Sequence, residues 1–138
     1  MHPILRNVLA VLAGLVLGAI VNMGLIVLGS SLVPPPPGVD VNDLESINAN
    51  IRDYAPIQFL TPFLAHALGV LAGATLTAKL AASQSLFMAL IVGAFFLAGG
   101  TMAVLMIPST PIWFSTLDLV VAYLPMAWLG YRLVGRKA

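Results

Sequence analysis

Long apolar segments dominate the chain, and charged residues interrupt them at few places. No Asp, Glu, Lys or Arg occurs at positions 7–39 or 54–78, and Asp118 is the single charged residue at positions 80–131. About 20 apolar residues cross the hydrocarbon core of a bilayer as a helix. Each of these three stretches is therefore long enough for one or two membrane spans.

This pattern predicts an all-α integral membrane protein with four antiparallel transmembrane helices in a single domain of 138 residues. We place the spans at about 4–32, 57–81, 85–107 and 111–133, and two starts are open for the second span, Pro56 and Thr61. The connections after the second and third spans are short, so the helices that they join are expected to be antiparallel neighbours.

The loop at positions 33–56 is the one sizeable segment outside the predicted spans. Its four consecutive prolines, 34–37, favour an extended polyproline II exit from the bilayer. Leu44, Ile47, Ile51 and Tyr54 then follow at helical spacing, which predicts a short amphipathic helix on the membrane surface. This loop is expected either to cover the bundle as a lid or simply to connect two helices.

Composition narrows the class of protein further. Hydrophobic residues make up 60% of the chain and charged residues 8%, whereas soluble domains carry roughly 25% charged residues. The chain has no cysteine, and its net charge of +1 gives no basic surface for nucleic acid. We therefore expect membrane lipids as partners and no nucleic acid.

The distribution of basic residues predicts the orientation in the membrane. Arg6, Lys79, Arg132, Arg136 and Lys137 fall at one end of the predicted bundle, and the other end carries Arg52 alone. The positive-inside rule then places both termini in the cytoplasm, and the compact architecture is typical of a bacterial inner membrane.

Small residues spaced for close helix packing recur on three of the predicted spans. In a bilayer, close packing of small residues draws helices together. We interpret these positions as contacts within one protomer, with a homo-oligomer interface or a larger membrane complex as alternatives. The glycines concerned are Gly14, Gly18, Gly69, Gly73, Gly93 and Gly100.

Polar residues of all four spans are predicted to share one layer in the outer half of the membrane. Charged groups inside a span are costly and usually pair in the bundle interior, so His66 and Asp118 are expected to face protein. Pro125 is expected to kink the fourth span beside this layer. The candidate residues for a ligand or proton site are Asn22, His66, Thr101, Ser115, Asp118 and Tyr123.

Three interpretations of this layer stay open. Asp118 accepts a hydrogen bond from His66 or Asn22 and serves packing alone, or His66 and Asp118 form a proton-titrating pair in a polar cavity. In the third, His66 is a base oriented by Asp118, with Ser115 or Thr116 as nucleophile of a lipid-modifying enzyme. The first two are favoured because no strained nucleophile turn occurs in the sequence.

The sequence thus predicts a small polytopic membrane protein that is transporter-like or binds a lipid or other amphiphile in the polar layer. A non-catalytic structural or accessory subunit of a membrane complex is the alternative, and an intramembrane enzyme is the third. No cofactor and no metal site are predicted, since His66 and Asp118 are the two metal-ligating residues of the layer and catalytic zinc usually takes three protein ligands.

Overall fold

A computed structural model describes residues 1–135 of the chain. Four of its segments are long and apolar enough to span a membrane, namely Pro3–Leu32, Pro56–Leu80, Ser85–Met106 and Ile112–Val134. These segments confirm the predicted class, a helical multi-pass membrane protein. Arg136 and Lys137, which contributed to the predicted orientation, lie outside the described residues.

The four spans contain five helices, and a short helix lies in the loop between the first and second spans. In chain order the helices are α1 (Pro3–Leu32), α2 (Leu44–Asn50), α3 (Pro56–Leu80), α4 (Ser85–Met106), α5 (Ile112–Val121) and α6 (Leu124–Val134). A 3₁₀ turn, Ile51–Asp53, follows α2 directly. The fourth span is therefore divided into α5 and α6.

Of the two starts considered for the second span, the structure has Pro56. Proline suits this first position because its missing N–H would have no partner inside the helix. Gln58 caps the N-terminus of the helix, since its Oε1 accepts a hydrogen bond from the N–H of Ala55 at 2.7 Å. Its Nε2 donates to the carbonyl of Pro34, also at 2.7 Å, which ties the proline segment to α3.

Helices α1 and α3 pack closely through their glycines. A Cβ at Gly73 would collide with the carbonyl oxygen of Gly14, and one at Gly69 would lie 2.9 Å from that of Gly18. The contacts run in opposite order along the two helices. The hydroxyl of Thr77 also donates to the carbonyl of Ala10 at 3.1 Å, so small residues and an interhelical hydrogen bond hold the pair together.

Helices α4 and α6 complete the bundle around the buried face of α3. A Cβ at Gly93 would collide with Ala127, and one at Gly100 with the ring and hydroxyl of Tyr123. The core between these helices is built mainly from alanines, together with Val70 and with Tyr123 as its largest member. All six glycines named from the sequence thus lie against other segments of the same chain.

The outward face of α1 is apolar over its whole length. Val16 and Ile20 are 61% and 63% exposed, and Val8, Met23 and Val27 are similarly open. A soluble protein rarely leaves so continuous an apolar surface in water. In a bilayer the same side chains contact lipid tails, which fits the assignment of this helix as a membrane span.

The loop packs onto one end of the bundle through a second apolar cluster. Ile51, Phe59 and Phe114 are buried in it, and Tyr54 packs against them. Asn48 fixes α2 to the connection between α4 and α5, because its Oδ1 accepts a hydrogen bond from the N–H of Ser109 at 3.0 Å. Burial raises the pKa of the Tyr54 phenol, so this side chain stays neutral in the docked loop.

Candidate functional site

His66, Asp118 and Tyr123 meet in the middle of the bundle. Nδ1 of His66 lies 2.9 Å from Oδ1 and 3.0 Å from Oδ2 of Asp118. The hydroxyl of Tyr123 donates to Oδ2 of Asp118 at 2.9 Å and lies 3.1 Å from Nδ1 of His66. Three of the six site residues proposed from the sequence therefore form one hydrogen-bonded cluster.

The interruption of the fourth span positions two members of this cluster. Pro125 has no N–H for the carbonyl of Val121, so the helix cannot continue unbroken past this point. Tyr123 lies in the break with φ −114° and ψ −84°, and α6 begins at the next residue. Asp118 lies on the last full turn of α5, where the N–H of Ala122 bonds its carbonyl.

Gly100 provides the space that the Tyr123 hydroxyl needs. The hydroxyl and ring of Tyr123 lie where a Cβ at this position would stand. The Tyr123 ring is also stacked with the His66 imidazole, with a centroid separation of 5.7 Å and an interplanar angle of 28°. A glycine of α4 thus allows a tyrosine of the fourth span to reach a histidine of α3.

Burial differs sharply within the cluster. The side chain of Asp118 is 4% exposed and that of His66 24%, while Tyr123 is 1% exposed. The contacts that hold the imidazole all use Nδ1, and Nε2 is not among the buried polar atoms that lack a partner in the described residues. The acid and the phenol orient the histidine, and the histidine is the member that can meet a ligand.

The position of the cluster in the membrane bears on its charge. His66 is ten residues beyond Pro56, about 15 Å along α3, which is deep in the hydrocarbon region. A net charge at this depth is costly. Two forms of the pair are net neutral, the imidazolium with the carboxylate and the neutral imidazole with the carboxylic acid. Nε2 carries a proton in the first form, and in the second form it does so when the carboxylic acid donates to Nδ1. With the shared proton between Nδ1 and the carboxyl group, the site offers a hydrogen-bond donor at Nε2.

Asn22 of α1 packs against α3 one turn from His66. Its Cβ would be 3.0 Å from a Cβ at Gly69, and Gly69 lies one turn beyond His66 on α3. Oδ1 of Asn22 is buried without a hydrogen-bond partner among the described residues. An orphaned buried amide oxygen is unfavourable, so this atom marks a position where a donor would be stabilising.

Ser115 and Thr101 stand apart from the hydrogen-bonded cluster. Thr101 is exposed on α4, and its hydroxyl donates to the carbonyl of Leu97 in its own helix at 2.9 Å. Ser115 is partly buried one turn before Asp118, and Thr116 is exposed. The hydroxyl that reaches His66 is that of Tyr123, which directs its proton to Asp118 rather than to the imidazole.

Phenylalanines separate the cluster from the loop end of the bundle, a feature that the sequence reasoning missed. Phe63 lies one turn before His66 and Phe114 one turn before Asp118, and both pack with Phe59 beneath the loop. The rings of Phe59 and Phe114 are 4.7 Å apart. The spacing of these residues on α3 and α5 could have predicted this feature. The phenylalanines form an apolar layer between the polar cluster and the loop.

Within residues 1–135, no three His, Asp or Glu side chains converge as a metal site. The chain matches no protein-family model, no curated protein and no solved structure. The geometry of the cluster is therefore the basis for any assignment of function.

Proposed function

We propose that this small multi-pass membrane protein binds the hydroxyl-bearing polar end of an amphiphile at His66 and Asn22. The observation that carries the proposal is that the His66 imidazole is hydrogen-bonded on one side and partly exposed. Buried Asp118 and Tyr123 hold Nδ1 of His66, while about a quarter of the side chain stays exposed at membrane depth.

A hydroxyl group matches the two polar atoms that this site presents. Nε2–H of His66 donates, and the orphaned Oδ1 of Asn22 accepts. A hydroxyl is both acceptor and donor, so this one type of group matches the chemistry of both atoms. Its alkyl chain then extends among the apolar side chains of the spans, which is the environment that an amphiphile requires.

The topology that we propose follows from the charges. The helices run antiparallel, with both termini in the cytoplasm by the positive-inside rule, and the acidic loop with α2 lies on the outer surface. Interrupted helices beside a binding site are a feature of secondary transporters. Movement of the bound amphiphile between the two leaflets is accordingly the activity that we propose for the break between α5 and α6.

The test uses ¹⁵N NMR of the protein in nanodiscs with two probes of equal chain length, dodecanol and dodecane. We expect dodecanol to shift the His66 Nε2 resonance in a saturable manner and dodecane to leave it unchanged. Asn22→Ala should weaken the response to dodecanol. Thr101→Ala is the matched control. It also removes a polar group from a membrane span, but the Thr101 hydroxyl bonds within its own helix.

Two results would reject amphiphile binding. One is an Nε2 resonance that ignores dodecanol at saturation, and the other is an equal response to the alcohol and the alkane. Loss of the response in Thr101→Ala to the same degree as in Asn22→Ala would also count against the site, since it would reflect a general disturbance of the bundle.

A structural or accessory subunit is the second candidate function. Gly24 and Gly99 favour it, because a Cβ at either position would meet nothing within 4 Å. Small residues on a lipid-facing surface permit close approach of another helix. Since the chain has no cysteine, single Gly24→Cys and Gly99→Cys variants allow site-specific crosslinking in native membranes. A discrete crosslinked product would support this role, and its absence at both positions would reject it.

A further inference from the structure

A groove lies at the end of the bundle opposite the loop, between the start of α4 and the end of α6. One cavity of about 570 Å³ is lined by Leu86, Trp128, Tyr131, Arg132 and Gly135. A neighbouring cavity of about 370 Å³ shares Leu86 and Tyr131 with it and continues along α4. Together they form a groove, here called the α4/α6 groove, that is remote from His66.

The α4/α6 groove is polar at one end and apolar along its length. Arg132 supplies a cation, and its guanidinium carbon lies 5.2 Å from the centroid of the Trp128 ring. Leu86 and Leu90 line the part that runs along α4. Trp, Tyr and Arg are typical of the level where a membrane meets water, so this groove offers a headgroup position next to a chain position.

The charges of the chain decide which headgroup fits. Arg6 and Lys79 are basic residues of the same end of the bundle as Arg132. The sequence places every Asp and Glu elsewhere, with four in the loop at positions 40–53 and Asp118 in the fourth span. An anion at Arg132 thus meets no acidic side chain of this end of the bundle, and a cationic headgroup would find no counter-charge.

We infer that the α4/α6 groove binds an anionic glycerophospholipid, with its phosphate against Arg132 and an acyl chain along Leu86 and Leu90. Arginine suits a phosphate because its planar group donates several hydrogen bonds at once. The packing on Trp128 holds the guanidinium over the groove instead of leaving it free in the interface. This site is separate from the one proposed at His66, and either can fail without the other.

The test exploits the position of Trp128 in the groove. Trp113 is the other tryptophan of the chain, so Trp113→Phe leaves Trp128 as the sole reporter. Fluorescence is measured in nanodiscs with rising fractions of brominated phosphatidylglycerol or of brominated phosphatidylcholine with the same chains. We expect quenching by the anionic lipid to saturate at a mole fraction roughly fivefold lower than for the zwitterionic lipid.

Three further variants separate a bound lipid from a general charge effect. Arg132→Gln should abolish the preference, and Arg132→Lys should retain part of it. Arg6→Gln removes the same charge from the same end of the bundle, but Nε of Arg6 donates to the carbonyl of Leu80 at 2.8 Å and the residue does not line the groove. The preference of Arg6→Gln for the anionic over the zwitterionic lipid should therefore match that of the Trp113→Phe parent.

The inference is overturned if both brominated lipids quench Trp128 alike, since bulk bilayer contact would then account for the signal. It is equally overturned if Arg6→Gln and Arg132→Gln reduce the preference to the same extent, which would indicate nonspecific attraction. Neither result would affect the response of His66 to dodecanol.

Discussion

Nδ1 of His66 lies 2.9 Å from Oδ1 of Asp118, although 52 residues separate them in the chain. The contact joins α3 to the first half of the fourth span at a depth where water is absent. Each residue alone would be unfavourable there. Together with Tyr123 they form a set of mutually satisfied polar groups, with the imidazole as its exposed member.

The hydrogen bonds of Asp118 with Tyr123 and His66 predict different effects for two substitutions of this residue. Asp118→Ala leaves the Tyr123 hydroxyl and Nδ1 of His66 unsatisfied, and we expect it to lower the free energy of unfolding by about 1–3 kcal/mol. Asp118→Asn keeps an acceptor for Tyr123 and a donor for Nδ1, so its cost should be clearly smaller. Unfolding in detergent measures both, and equal losses would contradict the assigned hydrogen bonds.

Gly73 should tolerate no side chain, because the Gly14 carbonyl occupies the space of a Cβ. We expect Gly73→Ala to lower the free energy of unfolding by about 1–3 kcal/mol, the usual cost of overpacking. Gly24→Ala is the matched control on α1, where a Cβ meets nothing. It should be neutral or stabilising by up to about 1 kcal/mol, since alanine favours helix over glycine. The reverse order of the two variants would refute the α1/α3 packing.

Adjacent glycines of α4 provide a test of the Tyr123 position. We expect Gly100→Ala to displace the Tyr123 hydroxyl and to perturb the His66 ¹⁵N resonances, whereas Gly99→Ala should leave them unchanged because a Cβ there is free of contacts. Tyr123→Phe removes the hydroxyl, which is the nearest colliding atom, and so relieves part of the collision, while the ring carbons stay close to the new Cβ. The double variant Gly100→Ala/Tyr123→Phe should therefore be more stable than the sum of the two single effects predicts, as a double-mutant cycle measures. Strict additivity would argue against this contact.

Asn48 should control how firmly the loop is docked. Asn48→Ala removes the acceptor of the Ser109 N–H, so we expect faster hydrogen exchange at Ser109 and faster proteolysis within residues 39–54. The loss should correspond to about 0.5–1.5 kcal/mol. Asn48→Asp keeps the acceptor and should preserve protection. Unchanged exchange in Asn48→Ala would show that the apolar cluster of Phe59 and Phe114 docks the loop without this hydrogen bond.

The spans could be predicted from the sequence because the bilayer imposes one length and one composition on every crossing helix. His66 and Asp118 could be proposed as a pair because two costly residues at similar depth have few other ways to be satisfied. Depth alone does not give the rotation of a helix about its axis, however. For this reason Thr101 was placed in the same layer, whereas in the structure it points away from the cluster on α4.

The central role of Tyr123 could be predicted only in part. Pro125 indicates a disturbance of the fourth span, but the direction of the Tyr123 side chain depends on the ψ angle of −84° in the break and on the space at Gly100. Both are consequences of packing between helices that are distant in sequence. The cluster of Phe59, Phe63 and Phe114 was missed for a related reason. Their spacing on α3 and α5 places them near the polar residues, but their contact with one another depends on how the two helices pack.

The most direct test of the account is the protonation of His66 in the wild-type protein, read from ¹⁵N shifts and one-bond N–H couplings in nanodiscs. If Nδ1 and the Asp118 carboxyl group share one proton, Nε2 carries the other proton of the ring, and we predict a directly bonded proton at that nitrogen. Nε2 of His66 should keep its directly bonded proton in Asp118→Asn. An unprotonated Nε2 with the proton on Nδ1 would mean that the site presents an acceptor instead of a donor, and it would contradict the proposed hydroxyl-binding site.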